Sequence, residues 1–296
     1  MLYIKICISF LSVLLIAIIT KNIISKLHKK QILNKSFLLT LVAKDGFIIL
    51  FSAFAGLLLI KFLLPAISAN LSLKHYIIGS SCVLILVLYK ILNIKYNFLL
   101  VNIIFASALI YTNKHFLSYK IPFIGGIATG SYFNLFLILW LVMTSFAFKL
   151  YDDIKGLGPW SIIIILFAIS LIAFLTQQML IGMINLIFIV AIIGVLRSSM
   201  LQMKNKMGKA YTSLLGLIIG FLSLEAGRIE NINCLNTLVP LSILSVPMLE
   251  AILAIKRKFI NGKSLKEQYI HDRLTKLGFT HKQSILILIS LIFITS

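Results

Sequence analysis

Apolar residues in this chain come in long unbroken runs, with neither the alternation of a half-buried strand nor the heptad spacing of a coiled coil. The runs fall at about 2–20, 46–67, 76–89, 97–112, 132–151, 159–176, 178–199, 211–227, 233–255 and 284–296. Short polar, lysine-bearing segments separate them. A helix needs ~20 mostly apolar residues to cross a bilayer, so the pattern predicts an all-α polytopic membrane protein of about ten spans. The first run follows Lys5 as a signal peptide would, but Lys21, Asn22 and Ile23 come next in place of a small-residue cleavage site. It is read as a retained span. No repeat or low-complexity linker divides the chain, which predicts a single transmembrane domain over 1–296 packed as one bundle.

Composition supports that reading. Hydrophobic residues make up 60% of the 296 positions and charged residues 12%, where soluble domains carry about 45–50% and roughly 25%. This excludes a soluble enzyme, a disulfide scaffold and a disordered chain. Cys7, Cys82 and Cys234 stand alone in or beside apolar runs, without pairing or metal spacing.

The formal net charge of +20 would suit nucleic acid in a soluble protein. Here the cations sit between spans, as cytoplasmic loops do, so no nucleic-acid partner is expected. Of the 28 Lys and Arg, 22 fall in loops after odd-numbered spans and 6 on the other side. That split predicts both termini outside and cytoplasmic loops near 21–45, 90–96, 152–158, 197–210 and 256–283.

Acidic residues are scarce, and at membrane depth each calls for a functional reading. The eight are Asp45, Asp152, Asp153, Glu225, Glu230, Glu250, Glu267 and Asp272. Asp152 and Asp153 close the fifth span in the stretch from Lys149 to Gly158, beside a glycine-bearing turn. Adjacent carboxylates there suit Mg²⁺ and a phosphate, because Mg²⁺ takes hard oxygen ligands and keeps waters for its substrate. On residue chemistry alone, mutual neutralisation of Lys149, Asp152 and Lys155 at helical spacing is the favoured reading. The 256–283 loop is the most basic. Its His271, Asp272 and Arg273 could clamp a diphosphate through the Arg fork, or the loop could touch anionic lipid as any basic loop does. A single His makes no metal site, Gly125-Gly126 is too bare for a phosphate loop, and no P-loop or Ser-His-Asp set is present.

Several segments, in order, resemble the polyprenyl-phosphate N-acetylhexosamine-1-phosphate transferases, which include the translocase of the first peptidoglycan lipid intermediate and the enzymes that start O-antigen and teichoic-acid linkage. The stretch from Leu139-Trp140 through Lys149-Leu-Tyr-Asp-Asp-Ile-Lys-Gly-Leu157 is similar to the family's Leu-Trp run and the N-A-x-N-L-x-D-G-x-D-G-L that follows. Gly194-Val-Leu196 with Met207-Gly-Lys-Ala-Tyr-Thr-Ser-Leu-Leu-Gly216 resembles G-F-L and M-G-D-x-G-S-L-x-L-G. Val246-Pro-Met-Leu-Glu-Ala251 resembles V-P-x-x-D-T. Asn261-Gly-Lys-Ser264 with Tyr269-Ile-His-Asp-Arg-Leu-Thr-Lys-Leu-Gly278 resembles G-x-S-P and H-x-H-H-R-L-x-x-x-G. The similarity covers residues 85–285.

The resemblance implies attack of a polyprenyl phosphate on the β-phosphate of a UDP-sugar in cell-envelope glycan synthesis, with Mg²⁺ neutralising the diphosphate, in a bacterial inner membrane. It places the first motif Asp on Asp152, with Asp153 beside it as a second carboxylate and Asp152 as metal ligand if any metal binds, and gives His271, Arg273 and Asp272 to substrate. It also exposes substitutions. The family's Asp pair after the third span falls on Tyr89 and Lys90, the second Asp of D-G-x-D on Lys155, and the Asp of M-G-D on Lys209. The motif asparagines fall on Phe146 and Lys149, and the first and third histidines on Tyr269 and Asp272. Lysine cannot ligate Mg²⁺. The expectation is a degenerate member that keeps phosphate and lipid binding, with Mg²⁺ needed only if it is active. The alternatives are an active but atypical transferase, or an unrelated transporter with its charges facing a midplane cavity. A homodimer is compatible with each.

Overall fold

The computed structural model describes residues 10–22, 45–63, 98–112, 131–154, 156–196, 208–227, 235–261 and 270–296. Among these residues every regular element is a helix. In chain order they are α1 (Phe10–Asn22), α2 (Asp45–Leu63), α3 (Phe98–Thr112), α4 (Ser131–Tyr151), α5 (Leu157–Leu175), α6 (Met179–Leu196), α7 (Lys209–Ala226), α8 (Leu235–Ile243), α9 (Ser245–Asn261), α10 (Ile270–Lys276) and α11 (His281–Thr295).

Three stretches are long and apolar enough to cross a membrane: Asn134–Tyr151, Leu157–Leu175 and Met179–Leu196. Shorter apolar helices cover Phe10–Asn22, Ile48–Leu58, Tyr211–Ala226 and His281–Thr295. The protein is therefore an all-helical membrane protein. The expected span at 76–89 lies outside the described residues, as do Tyr89, Lys90, Lys155 and Tyr269.

Two tight turns set the topology. The chain reverses between α4 and α5 through residues 152–154 and Gly156, and between α5 and α6 through residues 176–178. The C-terminal ends of α4 and α6 and the N-terminal end of α5 thus share one end of the bundle. Gly208 returns to the same end, against Asp152, and so starts α7 there. Lys21, at the close of α1, donates from Nζ to the carbonyl of Val195 in the last turn of α6. A lysine on a helix C-terminus satisfies an otherwise orphaned carbonyl and complements the helix dipole.

The closest packing is between α4 and α7. A methyl group on Gly216 would come 2.8 Å from Phe148 Cδ2 and 2.9 Å from the Thr144 carbonyl oxygen. One on Gly220 would come 2.5 Å from Thr144 Oγ1. Two glycines four apart let the backbones approach, as membrane helices require when packing rather than water drives association. Buried polar groups add a second tie. Asn102 of α3 donates from Nδ2 to Ser145 Oγ of α4 (2.8 Å) and to Ser213 Oγ of α7 (3.0 Å). The two serine hydroxyls lie 2.5 Å apart.

Two expectations for the C-terminal third are corrected. The apolar run 233–255 is divided into α8 and α9 at Leu244, and α9 extends to Asn261. Pro247 has no N–H to give the carbonyl of Ile243, so the regular ladder breaks there. Helical bonds resume on either side, from Leu244 N to Pro240 O (3.1 Å) and from Met248 N to Leu244 O (2.9 Å). The 256–283 segment, expected as a loop, carries the end of α9, all of α10 and the start of α11. In α10 the apolar pair Ile270 and Leu274 packs on the core at i, i+4 spacing. Thr280 and Gln283 form a capping box that starts α11.

Candidate functional site

The α4–α5 turn follows from its own backbone bonds. Asp153 N reaches Leu150 O at 3.1 Å and Ile154 N reaches Tyr151 O at 3.3 Å, so the last turn of α4 tightens. Gly156 then takes φ 86°, a left-handed conformation that costs a glycine nothing, and α5 begins at Leu157.

This turn aims its two carboxylates differently. Asp152 points inward and is 2% exposed. Both its oxygens accept from the Gly208 amide, at 3.3 and 3.1 Å. Gly208 precedes α7 at φ 103°, outside the range most side chains tolerate, and its own carbonyl accepts from Thr212 Oγ1 at 3.2 Å. A carboxylate on the amide that opens a helix is favourable through both the hydrogen bond and the helix dipole. Asp153 is more exposed and meets Lys209 Nζ at 2.7 Å on Oδ1 and 3.0 Å on Oδ2. Lys149, half-buried one turn before the end of α4, lies within electrostatic reach of both Lys209 and Asp153.

The structure thus brings together Asp152, Asp153, Lys149 and Lys209, four of the residues that the sequence marks. It holds His271 in different company. His271 is buried, and its ring packs edge-on against His281, centroids 4.6 Å apart at 78°. Arg273, two positions on, is exposed. Asp272 lies between them in α10, and its side chain is outside the described set.

The set does not fit Mg²⁺. Mg²⁺ takes one or two carboxylates together with waters and substrate phosphate, and the candidate pair here is Asp152 and Asp153. The oxygens of Asp152 already face a backbone amide, and a lysine ammonium sits 2.7 Å from Asp153. A divalent ion would have to displace that lysine, whose charge repels it.

The sequence names Glu250 among its scarce acids and in the V-P-x-x-D-T resemblance, but assigns neither it nor Tyr151 a role at the site. Glu250 is 4% exposed in α9, within electrostatic reach of the fully buried Tyr151 that immediately precedes Asp152. The available signal was an acid inside the apolar run 233–255, where a carboxylate is costly unless its surroundings accommodate it.

A probable undecaprenyl-phosphate N-acetylglucosaminyl 1-phosphate transferase of Bacillus subtilis (strain 168) is 30% identical to this chain over 162 residues. The chain is thus similar to a protein named as a polyprenyl-phosphate sugar-1-phosphate transferase. The match takes in 54% of this chain and 45% of the relative, so the chain spans about half the length of the transferase it matches. No protein-family model matches the chain. The resemblance seen in the motifs therefore has a curated counterpart, a transferase named for a polyprenyl phosphate acceptor.

Proposed function

We propose that this protein is a degenerate relative of these transferases, which binds a polyprenyl phosphate, and the diphosphate of a UDP-sugar, at a cationic cleft without a divalent metal. One observation carries the reading. The two carboxylates best placed to hold Mg²⁺ are already engaged within the chain, Asp152 by the Gly208 amide and Asp153 by Lys209. Lys149 and Lys209 then offer ammonium groups to a phosphate arriving from the membrane surface. In this reading Asp152 and Asp153 hold the cleft's shape and tune its charge, and Mg²⁺ has no part in binding. The motif resemblance gives Lys155 as a further cation and His271, Arg273 and Asp272 as further substrate contacts.

The proposed setting is a bacterial inner membrane, with about ten spans in one domain, both termini outside and the cleft on the cytoplasmic side. The 22-to-6 division of cations supports that orientation. So does the convergence of Lys21, Lys149 and Lys209 at the bundle end shared by α4, α6 and α7.

Release of UMP from UDP-N-acetylglucosamine by purified protein in vesicles that contain undecaprenyl phosphate as acceptor, with and without Mg²⁺, tests the reading. No release above the vesicle background is expected in either case. Robust Mg²⁺-dependent release would establish the active, atypical transferase instead.

A further inference from the structure

We propose that the turn between α10 and α11 is an interfacial anchor, which inserts Leu277 and Phe279 into the bilayer and holds anionic lipid headgroups with Lys276 and Lys282. The inference stands independently of any substrate in the cleft.

The turn is built, not loose. Gly278 N donates to Thr275 O at 3.1 Å and Phe279 N to Leu274 O at 3.2 Å, the paired bonds that close a helix through a left-handed glycine. Gly278 supplies that residue at φ 96°, with nothing within 4 Å of where its Cβ would stand. The capping box of Thr280 and Gln283 then fixes the entry into α11. Backbone order on both sides holds the two apolar side chains outward. Leu277 is 75% exposed and Phe279 42% exposed.

What covers them follows from α11. Its outward face is apolar, with Leu286, Phe293 and Ile294 at 56%, 67% and 77% exposure. In a membrane protein that face meets lipid. Leu277 and Phe279 stand just before the first residue of α11, at the end of that lipid-facing side, which places them at the leaflet boundary. Lys276 and Lys282 flank them in sequence and are exposed. Apolar side chains flanked by cations at a helix end match the chemistry of an anionic leaflet, where long basic side chains reach out to phosphate.

Depth-dependent quenching tests this on the full chain in vesicles of phosphatidylcholine and phosphatidylglycerol. Cys7, Cys82 and Cys234 are changed to Ser, and a fluorophore is placed at Leu277→Cys or Phe279→Cys. A quencher on the lipid acyl chain is expected to quench both labels, and aqueous iodide to quench them several-fold less than the free dye. Iodide quenching equal to that of the free dye would overturn the anchor, and so would a label reached by neither quencher, since protein would then cover it. Quenchers borne on phosphatidylglycerol should outcompete those borne on phosphatidylcholine. Lys276→Gln with Lys282→Gln should reduce that preference by about five-fold per charge. Equal quenching by the two lipids in the unaltered protein would overturn the assignment of anionic headgroups.

Discussion

Lys209 meets Asp153 at 2.7 Å across 56 positions of sequence, and so fixes the start of α7 to the end of α4. The lysine side chain is 48% exposed and the aspartate 16%. An ion pair this open contributes little to folding, because water screens it and two side chains must be ordered. Its importance is chemical: it places a fixed cation where a carboxylate would otherwise be open to metal. A double-mutant cycle over Lys209→Met and Asp153→Asn should give a coupling energy under about 1 kcal/mol. A coupling several times larger in vesicle-embedded protein would mean that the pair is structural.

Asp152 should behave differently. Asp152→Ala leaves the Gly208 amide without its acceptor in a buried setting, a loss of about 1–3 kcal/mol. Asp153→Ala should cost much less. Asp152→Asn keeps an acceptor oxygen and should recover part of the difference. Unfolding by denaturing detergent, read by the fluorescence of Trp140 and Trp160, measures all three, and equal losses at Asp152 and Asp153 would contradict the inward and outward orientations.

The α4–α7 contact makes a steric prediction. Gly220→Leu must push the Thr144 turn aside, since even a Cβ would sit 2.5 Å from Thr144 Oγ1. Overpacking of this kind costs about 1–3 kcal/mol. Leu139→Ala on the exposed face of α4 serves as the control and should be near neutral. If Gly220→Leu unfolds with the unaltered protein, the two helices are not packed this closely.

The polar node is testable in the same assay. Replacing Asn102 by Leu removes both of its bonds, to Ser145 and Ser213. Hydrogen bonds between membrane helices average about 0.6 kcal/mol and reach ~1.7, so the expected loss lies in that range for each bond. Ser145→Ala in the Asn102→Leu background should then cost a further amount in that range, because it removes the remaining Ser145–Ser213 bond.

Much of this architecture is legible in the chain itself. Apolar runs at 97–112, 132–151, 159–176, 178–199 and 211–227 anticipate α3 to α7 within a few residues, because a bilayer imposes one length on every span. The Asp152-Asp153 turn stands out because acids are scarce in such a sequence. The break at Leu244 depends on Pro247 denying a hydrogen bond to Ile243, a one-residue event inside a run that otherwise reads as continuous. Asn102, Ser145 and Ser213 are separated by 43 and 111 positions on the bonds that join them, so no local pattern reveals the node. The same holds for Glu250 beside Tyr151: hydropathy flags the acid but cannot name its neighbour. The Asp153–Lys209 pairing needed both motifs aligned before the lysine's place beside the carboxylate could be suspected.

Equilibrium binding of a polyprenyl phosphate to the purified protein in vesicles, compared in EDTA, in Mg²⁺ and across a salt series, tests the central claim most directly. With Asp152 and Asp153 already satisfied within the chain, binding should be unchanged by EDTA and fall steeply with ionic strength, as ammonium–phosphate contacts do. Lys209→Asp together with Lys149→Gln should weaken it further. Binding that disappears in EDTA and returns with Mg²⁺ would contradict the account.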